Sequence, residues 1–318
     1  MLITVIIPCY NSSKMIETVV SEIKREIAKR PENQCQIILV NDYSKDNTFQ
    51  VISNMAKEDS GIVAIDLARN FGQANAKMAA VKYIKGEVAV CLDDDGQHPI
   101  DRIYDMIDKI NEGYDLVYAH FIRRRQNWFR RFTSACNTRL LEITGGKKRG
   151  IFNSSYIAWS SFAIEALRKY HSPFVSAGPY LMRCTDKVAN VEMEQKERMS
   201  GHSGYSLKKL VNVWLTEFTN FSLVPLRVSS ILGCVSSFGG IILGIVLVIR
   251  KLIHPSIAAG YTSYMAVLLF VGGIIMVMLG LLGEYVGKIY MLVSGQPQYY
   301  IREVICNGEG VQKDESRE

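Results

Sequence analysis

Short apolar runs alternate with helical patterns along the first third of the chain. The strand-like runs are Ile3–Ile7, Gln36–Val40, Val63–Asp66 and Val88–Leu92, and the helix-like segments between them are Met15–Ile27, Thr48–Ala56 and Ala74–Ile84. This alternation predicts an α/β domain with a parallel sheet and right-handed crossovers. Because ligands of such open sheets bind beyond the carboxyl ends of the strands, we expect a site among the residues that follow each run.

The residues that follow these runs are polar. They are Pro8, Tyr10 and Asn11 after the first run, Asn41 and Asp42 after the second, Arg69 and Asn70 after the third, and Asp93, Asp94 and Asp95 after the fourth. The carboxyl ends of neighbouring parallel strands lie at one edge of a sheet. The pattern therefore predicts that these groups line a single polar site.

Beyond Gly113 the pattern is less regular. One further strand is predicted at Asp115–His120, and amphipathic helices are predicted near Trp128–Ile143 and at Leu207–Phe221. Both helices combine aromatic and aliphatic residues with Lys and Arg, which is typical of helices that lie along a bilayer surface. Packing of the same helices against the soluble core is an equally good interpretation.

Two runs in the last third of the chain contain no Asp, Glu, Lys or Arg. Val228–Ile249 and Tyr264–Gly283 are each long enough to cross about 30 Å of hydrocarbon as a helix. They divide the chain into a soluble domain (1–225), a membrane domain (226–290) and a C-terminal tail (291–318), of which the last residues from Asn307 are expected to be disordered. With two spans, both ends of the chain lie on one side of the membrane.

The basic residues favour a cytoplasmic location for the large domain, at the inner (plasma) membrane. Arg250 and Lys251 at the outer end of the first span count against it, but they are outnumbered on the soluble side. The basic residues on that side are Lys208, Lys209, Arg227, Lys288 and Arg302, together with an arginine cluster.

No basic region precedes the first apolar stretch, so we expect no cleaved signal peptide. Single cysteines without a C-x-x-C pair are typical of reduced thiols.

The net charge of +6 is modest but unevenly distributed. The arginine cluster consists of Arg123, Arg124, Arg125, Arg130 and Arg131, which surround Trp128 and Phe129. Such a cluster favours contact with anionic headgroups or phosphates, and a solvated helical face is the alternative. Nucleic acid is a poor candidate partner because the same chain carries two predicted membrane spans.

The motif that points most directly to a binding site is LDDDGQHP at 92–99. Adjacent carboxylates at a strand end repel one another unless a cation is bound. Mg²⁺ or Mn²⁺ takes one or two protein carboxylates and completes its coordination with phosphates and water. The motif therefore predicts a metal-bound nucleotide diphosphate, whose departing charge the metal would neutralise. An acidic turn without a ligand is the alternative. His98, which follows the three carboxylates, is a less favoured candidate for a third metal ligand.

Several motifs together resemble those of family 2 glycosyltransferases. The soluble part carries PCYN at 8–11, VNDYSKDNT at 40–48, LARNFGQANAKMAA at 67–80 and LDDDGQHP at 92–99, in the order and spacing of that family. The later segments RMSGHSGYSLKKL at 198–210, VPLR at 224–227 and GLLGEYVGKIY at 280–290 are similar to those of its polyprenyl-phosphate branch. The resemblance covers nearly the whole chain.

This resemblance implies a GT-A (Rossmann-like) fold and inverting, metal-dependent transfer of a sugar from a UDP-sugar, or less often a GDP-sugar, to a polyprenyl phosphate such as undecaprenyl phosphate. Nucleotide-sugar binding is expected from Pro8, Tyr10, Asn11, Asp42, Arg69, Asn70, Asp93 and Asp94. The metal, Mg²⁺ or Mn²⁺, is expected on Asp93 and Asp95, and the acceptor phosphate on Arg123, Arg198, Ser203 and Lys208. Catalysis would depend on Asp93, Asp95 and Arg198.

The chain also departs from this family. Relatives commonly have Asp and Gly where this chain has Asn41 and Tyr43, and they often place an Asp, proposed as the catalytic base, in a region where this chain has no carboxylate between Glu142 and Glu165. A lipid phosphate is already ionised at neutral pH, so its oxygen can attack without a base. Positioning and electrostatics would then carry the reaction.

Other classes of protein agree less well with the sequence. A catalytically degenerate nucleotide-sugar-binding scaffold or regulator is the main alternative, favoured by Asn41 and the missing base but opposed by the intact Asp93–Asp95 cluster. A processive polysaccharide synthase would need more spans, and a transporter would show a charged residue at mid-membrane. Gly239, Gly240 and Gly244 have a spacing that suits close helix contacts, which would allow a homo-oligomer.

Overall fold

The computed structural model describes residues 1–121, 148, 150–174, 177–194, 224–253 and 260–306. The chain forms two compact units, of which the first comprises Met1–Gly204 with Pro297–Glu318 and the second Tyr205–Gln296. The two predicted amphipathic helices and the end of the tail lie outside the described residues.

The first unit alternates strands and helices as the apolar pattern predicts. Its strands are β1 (Leu2–Cys9), β2 (Gln34–Asn41), β3 (Ile62–Leu67), β4 (Val88–Cys91), β5 (Leu116–Phe121), β6 (Ile157–Trp159), β7 (Val188–Met193) and β8 (Ile301–Cys306). Its helices are α1 (Ile16–Ile27), α2 (Thr48–Glu58), α3 (Gln73–Val81), α4 (Ile103–Asn111), α5 (Ser161–Arg168) and α6 (Ala177–Cys184). A 3₁₀ turn, Ile100–Arg102, precedes α4.

The strands form one mixed eight-stranded sheet in the order β7-β5-β6-β4-β1-β2-β3-β8. At its centre β4, β1, β2 and β3 are parallel, which confirms the predicted parallel sheet for that part. The flanking strands break the pattern, because β6 is antiparallel to both β4 and β5 and β8 is antiparallel to β3. A Rossmann-like α/β core is thus extended on both sides by strands of mixed direction.

The core lies on both faces of the sheet. β1 directs Ile3, Val5 and Ile7 to one face, which α1, α2 and α4 cover, and Ile6 to the opposite face, which α3, α5 and α6 cover. All four of these side chains are fully buried. Burial of each such side chain contributes about 1.5–3 kcal/mol, and burial on both faces explains why the central strands read as continuous apolar runs.

Strand β8 is an addition that the sequence analysis did not predict, since residues 291–318 were assigned to a tail. It pairs with β3 from Leu67 to Val63, and Val304 and Ile305 are buried in the two core layers. The first unit is therefore completed by a segment that follows the second unit in the sequence.

The second unit contains α7 (Val224–Ile253) and α8 (Tyr261–Val293). Within the described residues, one stretch, Phe270–Val293, has the length and apolar composition needed to cross a membrane. It extends past the predicted end at Gly283 and includes Glu284, whose Oε1 lies 3.7 Å from Lys288 Nζ one turn later. The pairing agrees with the expectation that a carboxylate in such a helix needs a basic partner. Two spans remain a prediction.

The helix contact in this unit uses a different glycine from those noted in the sequence. A Cβ at Gly233 would lie 2.7 Å from Met278 Cε, so α7 and α8 approach closely there. By contrast, Gly239, Gly240 and Gly244 have open space where their side chains would be. Oligomer formation through these three glycines stays a prediction.

Candidate active site

The parallel strands bring their carboxyl ends to one edge of the sheet. Cys9 at the end of β1 pairs with Asn41 at the end of β2, and Asn41 pairs with Asp66 near the end of β3. Pro8 lies within β1 opposite Val40. The polar residues that follow β1, β2, β3 and β4 are joined there by hydrogen bonds, so the structure brings together the groups that the sequence pattern selected.

The turn after β1 is held by side chains from two other turns. The Tyr10 N–H donates to Asp94 Oδ2 at 2.9 Å, and the Asn11 N–H donates to Ser44 Oγ at 3.0 Å. Asn11 Oδ1 in turn accepts from the Lys45 N–H at 2.8 Å, with Asn11 in the left-handed region at φ 55°. Because its backbone is fixed in this way, the half-exposed Tyr10 ring has a defined position at the edge of the site.

Asp42 connects the end of β2 to the turn before α3. It is buried, and its two carboxylate oxygens accept from the N–H groups of Phe71 and Gly72 at 2.7 and 2.8 Å. Asn70 Nδ2 donates to the Asp42 carbonyl at 3.1 Å. Burial raises the pKa of Asp42, and the two backbone hydrogen bonds oppose this shift. In this structure the carboxylate shapes the turn that carries Arg69 and Asn70.

Two aromatic contacts next to this turn were not predicted. Tyr43 has φ 58° and a half-exposed ring, and the Arg302 guanidinium lies 5.5 Å from the ring centre. The exposed Arg69 has its guanidinium carbon 4.7 Å from the centre of the Phe71 ring. Strand β8 thus reaches the β2 turn through Arg302.

Asp93 is held by side chains from three separate parts of the chain. Gln73 Nε2 donates to its Oδ1, and Ser155 Oγ donates to its Oδ2 at 2.7 Å. His98 Nε2 lies 3.5 Å from the same Oδ2. The Asp93 side chain is still 22% exposed, so one side of the carboxylate faces the open edge of the sheet.

The two carboxylates that follow Asp93 have different surroundings. Asp94 accepts from the Tyr10 N–H, and burial raises its pKa. Asp95 is partly exposed, and its Oδ1 accepts from the Gln97 N–H at 3.1 Å within a turn that Gly96 allows by its φ of 67°. All three carboxylates are partly exposed, and Asp94 is the one that also supports the β1 turn through the Tyr10 N–H.

This donor set suits a metal that is shared with a ligand. In the described part of the chain, no group of three or more His, Cys, Asp or Glu side chains is arranged to hold a metal ion. Mg²⁺ in nucleotide sites is bound through one or two carboxylates plus substrate phosphates, without a complete protein cage. Asp93 and Asp95 meet that requirement. Both nitrogens of His98 face Asp93 and Ser155, which favours its interpretation as a hydrogen-bonding residue.

Four predicted site residues cannot be located. Arg123, Arg198, Ser203 and Lys208 lie outside the described residues. Within the described residues, the segment 150–160, which contains no carboxylate, places Ser155 beside Asp93. Gln73 lies in the motif at 67–80 but was given no role there, and Ser155 was not selected because a single Ser carries no pattern that points to a site.

The fold and this edge of the sheet define a class of protein. A Rossmann-like sheet with an Asp-x-Asp turn after β4 and exposed aromatic residues after β1 and β2 is the arrangement of a nucleotide-sugar-dependent glycosyltransferase of the GT-A type. The sequence profile described as Glycosyl transferase family 2 matches residues 4–170, and the profile described as GtrB C-terminal hairpin matches residues 211–289. The chain belongs to glycosyl transferase family 2, which confirms the resemblance drawn from its motifs.

Two curated relatives share the name undecaprenyl-phosphate 4-deoxy-4-formamido-L-arabinose transferase. The protein from Proteus mirabilis (strain HI4320) is 31% identical over 309 residues, which cover 95% of this chain and 94% of the relative. The protein from Enterobacter sp. (strain 638) is 33% identical over 319 residues, which cover 96% and 94%.

Solved structures support the fold. Glucosyl-3-phosphoglycerate synthase from Mycobacterium tuberculosis, in complex with Mn²⁺, UDP and phosphoglyceric acid, matches with a TM-score of 0.50 and 18% identity over 69% of this chain and 76% of that one. A complex of the same enzyme with Mn²⁺, UDP-glucose and phosphoglyceric acid matches with a TM-score of 0.51 and 16% identity over 69% and 78%. At this level of identity the match establishes the GT-A fold alone.

Proposed function

We propose that this glycosyltransferase moves a sugar from a nucleotide sugar to undecaprenyl phosphate, with inversion at the anomeric carbon. A UDP-sugar is the donor that we favour. The observation that carries the proposal is the polar edge built around Asp93 and Asp95. Relatives named undecaprenyl-phosphate sugar transferases, whose similarity extends over 95% and 96% of this chain, support the choice of acceptor. The product would be a lipid-linked sugar for glycan or lipid modification in the cell envelope.

Donor binding would use the turns after β1, β2 and β3. The half-exposed Tyr10 provides an aromatic face for the base, and Pro8 and Asn11 fix the turn beside it. Arg69 and Asn70 are exposed on the neighbouring turn, where they would line the nucleotide pocket. Asp42 would act through the backbone groups that it holds.

Asp93 and Asp95 would hold the divalent metal, Mg²⁺ or Mn²⁺. A metal bound there would neutralise the negative charge that develops on the departing diphosphate. The partial exposure of both carboxylates supports this role, and an enzyme of the same fold binds Mn²⁺ with UDP. Asp94, whose carboxylate accepts from the Tyr10 N–H, would contribute to the nucleotide-sugar pocket by fixing that turn.

The acceptor would not need a general base. Its phosphate is ionised at neutral pH, and the described segment 150–160 offers no carboxylate near Asp93. Cationic residues at 123, 198 and 208, with Ser203, would hold the phosphate in line for attack on the anomeric carbon. Arg198 would contribute a directional contact, because a guanidinium binds phosphate in a bidentate manner.

The membrane domain would bring the enzyme to its lipid substrate. In this proposal residues 1–225 form the cytoplasmic catalytic domain, and residues 226–290 form a hairpin of two spans in the inner membrane. The profile match to a C-terminal hairpin at 211–289 and the apolar stretch Phe270–Val293 support the arrangement. A polyprenyl chain stays in the bilayer, so an enzyme anchored beside it meets the phosphate at the interface.

A comparison of two acceptors tests this proposal. The purified chain is given a panel of UDP- and GDP-sugars with Mg²⁺ or Mn²⁺ and either undecaprenyl phosphate or undecaprenol. We expect transfer to the phosphate and none to the alcohol, since the described segment 150–160 offers no carboxylate to deprotonate a hydroxyl. Arg198→Ala should raise KM for undecaprenyl phosphate, whereas Arg25→Ala, which removes an exposed charge from α1, should not. Equal transfer to the alcohol contradicts the proposal.

A further inference from the structure

A buried histidine lies behind the carboxylate turn. His98 is only 3% exposed, and its ring stacks between two aromatic rings. The ring centre of Tyr156 lies 4.9 Å away at an interplanar angle of 10°, and that of Phe121 lies 5.5 Å away at 14°. The imidazole therefore has one orientation, with its two nitrogens at fixed points.

Hydrogen bonds fix which nitrogen carries the proton. The Asp93 N–H donates to His98 Nδ1 at 3.0 Å, and because a backbone N–H is always a donor, Nδ1 must be an acceptor. The proton of the neutral ring is then on Nε2, 3.3 Å from Ser155 Oγ. Ser155 Oγ is in turn the donor to Asp93 Oδ2 at 2.7 Å.

The direction of each bond is therefore determined. His98 Nε2–H donates to Ser155 Oγ, and the Ser155 hydroxyl donates to the Asp93 carboxylate. Ser155 is also held through its backbone, because Lys77 Nζ donates to its carbonyl at 2.8 Å. One ring thus holds Asp93 at both its backbone N–H and, through Ser155, its carboxylate.

We propose that Ser155 and His98 are positioning residues which orient Asp93 for the metal-bound diphosphate. The inference rests on the proposed function of Asp93 and gives a role to the segment that lacks the carboxylate found in relatives. A hydroxyl beside Asp93 donates a hydrogen bond to the carboxylate, whereas a second carboxylate there would repel it. Groups that orient a metal ligand from behind commonly affect metal affinity by about 10–100-fold.

Titration of Mn²⁺ into the full-length chain in the presence of UDP, followed by the EPR signal of free Mn²⁺, tests this inference. Ser155→Ala should weaken Mn²⁺ binding by about tenfold with little change in thermal stability, and Ser155→Thr, which keeps the hydroxyl, should restore most of it. Ser154→Ala is the matched control, because the Ser154 hydroxyl donates to the Tyr156 carbonyl at 2.8 Å and not to Asp93.

The outcomes separate this inference from the proposed function. Unchanged Mn²⁺ affinity in Ser155→Ala overturns the inference, and so does a Ser155→Thr protein as weak as Ser155→Ala, since the loss would then come from packing. If the wild-type chain binds Mn²⁺ in the presence of UDP but transfers no labelled sugar to lipid, the proposed acceptor is wrong. The Mn²⁺ affinities of the Ser155 variants still test the inference in that case. A wild-type chain that binds no Mn²⁺ overturns both.

Discussion

Tyr43 keeps a backbone conformation that side chains usually avoid. Its φ of 58° lies in the left-handed region, which costs a residue with a Cβ about 1–2 kcal/mol. Glycine would avoid this cost, because it has no Cβ. Strain of this kind persists where the surrounding structure imposes it, commonly at functional sites. The ring is half exposed beside Arg302, so we infer that it adds an aromatic surface to the donor pocket.

Two substitutions at Tyr43 separate strain from ring contacts. Tyr43→Gly and Tyr43→Ala both remove the ring, but only alanine retains the left-handed cost. The glycine variant should therefore be more stable than the alanine variant by about 1 kcal/mol, and both should bind UDP more weakly than wild type. Thermal unfolding and UDP titration check this. An alanine variant as stable as the glycine variant contradicts the assignment of strain.

Asp66 should give the soluble unit a specific pH dependence. It is 5% exposed, and burial raises its pKa although Asn41 donates to its Oδ1 at 2.7 Å and Arg302 Nη1 lies 3.7 Å from its Oδ2. A carboxyl group with a raised folded pKa binds its proton more tightly in the native state. Its contribution to stability is therefore present at low pH and lost as pH rises.

The comparison with Asp66→Asn isolates this contribution. As pH rises from about 4 to about 7, the wild-type unfolding temperature should fall relative to that of Asp66→Asn, whose amide does not titrate. Differential scanning calorimetry over this range provides the measurement. A wild type that gains stability relative to the variant over the same range would show that ion pairing with Arg302 outweighs burial.

At the scale of elements, β8 connects the end of the chain to the catalytic domain. Ile305 is 4% exposed, lies opposite Ala64 of β3 in the sheet, and packs in the core layer that α1, α2 and α4 cover. Ile305→Ala should cost about 2–4 kcal/mol, whereas Glu303→Ala on the same strand should change stability little. Thermal unfolding of the full-length variants measures this difference. Equal stability of the two variants would mean that β8 does not contribute to the folded catalytic unit.

The central elements could be predicted because they are buried on both faces. Strands β1 to β4 read as continuous apolar runs, and α1 and α2 show regular apolar spacing. The three residues of β6 and the mixed pattern of β7 carry weak periodicity, and both strands were missed. Helix α4 was missed although its buried residues are regularly spaced. Strand β8 was missed for another reason, since its pairing with β3 joins residues more than two hundred positions apart.

The candidate site likewise contains residues that could be predicted from the sequence and residues that could not. Residues that directly follow β1 to β4 could be selected because parallel strands place their ends together. The partners of Asp93, namely Gln73 and Ser155, come from a helix start and an irregular segment. Only the folded chain brings them to the same carboxylate. The motif at 67–80 contains Gln73 without indicating this contact, and no motif contains Ser155.

At the scale of the whole molecule, the proposed hairpin predicts which residues face each compartment. An Ala258→Cys substitution in the connection between the two helices should react with a membrane-impermeant maleimide in intact spheroplasts. Cys184, which is exposed on the catalytic domain, should react only after the membrane is opened. Labelling of Cys184 in intact cells would place the catalytic domain outside and contradict the proposed topology.

The most direct test of the account is the transfer of radiolabelled sugar from a nucleotide sugar to undecaprenyl phosphate by the purified chain. We predict label in the organic-extractable lipid, lost when EDTA is added or when Asp95 is replaced by alanine. The loss should occur without a change in the thermal stability of the variant, because Asp95 is partly exposed. Lipid labelling that persists with EDTA and in Asp95→Ala would contradict the metal-assisted mechanism, and the absence of label with every donor would contradict the transferase itself.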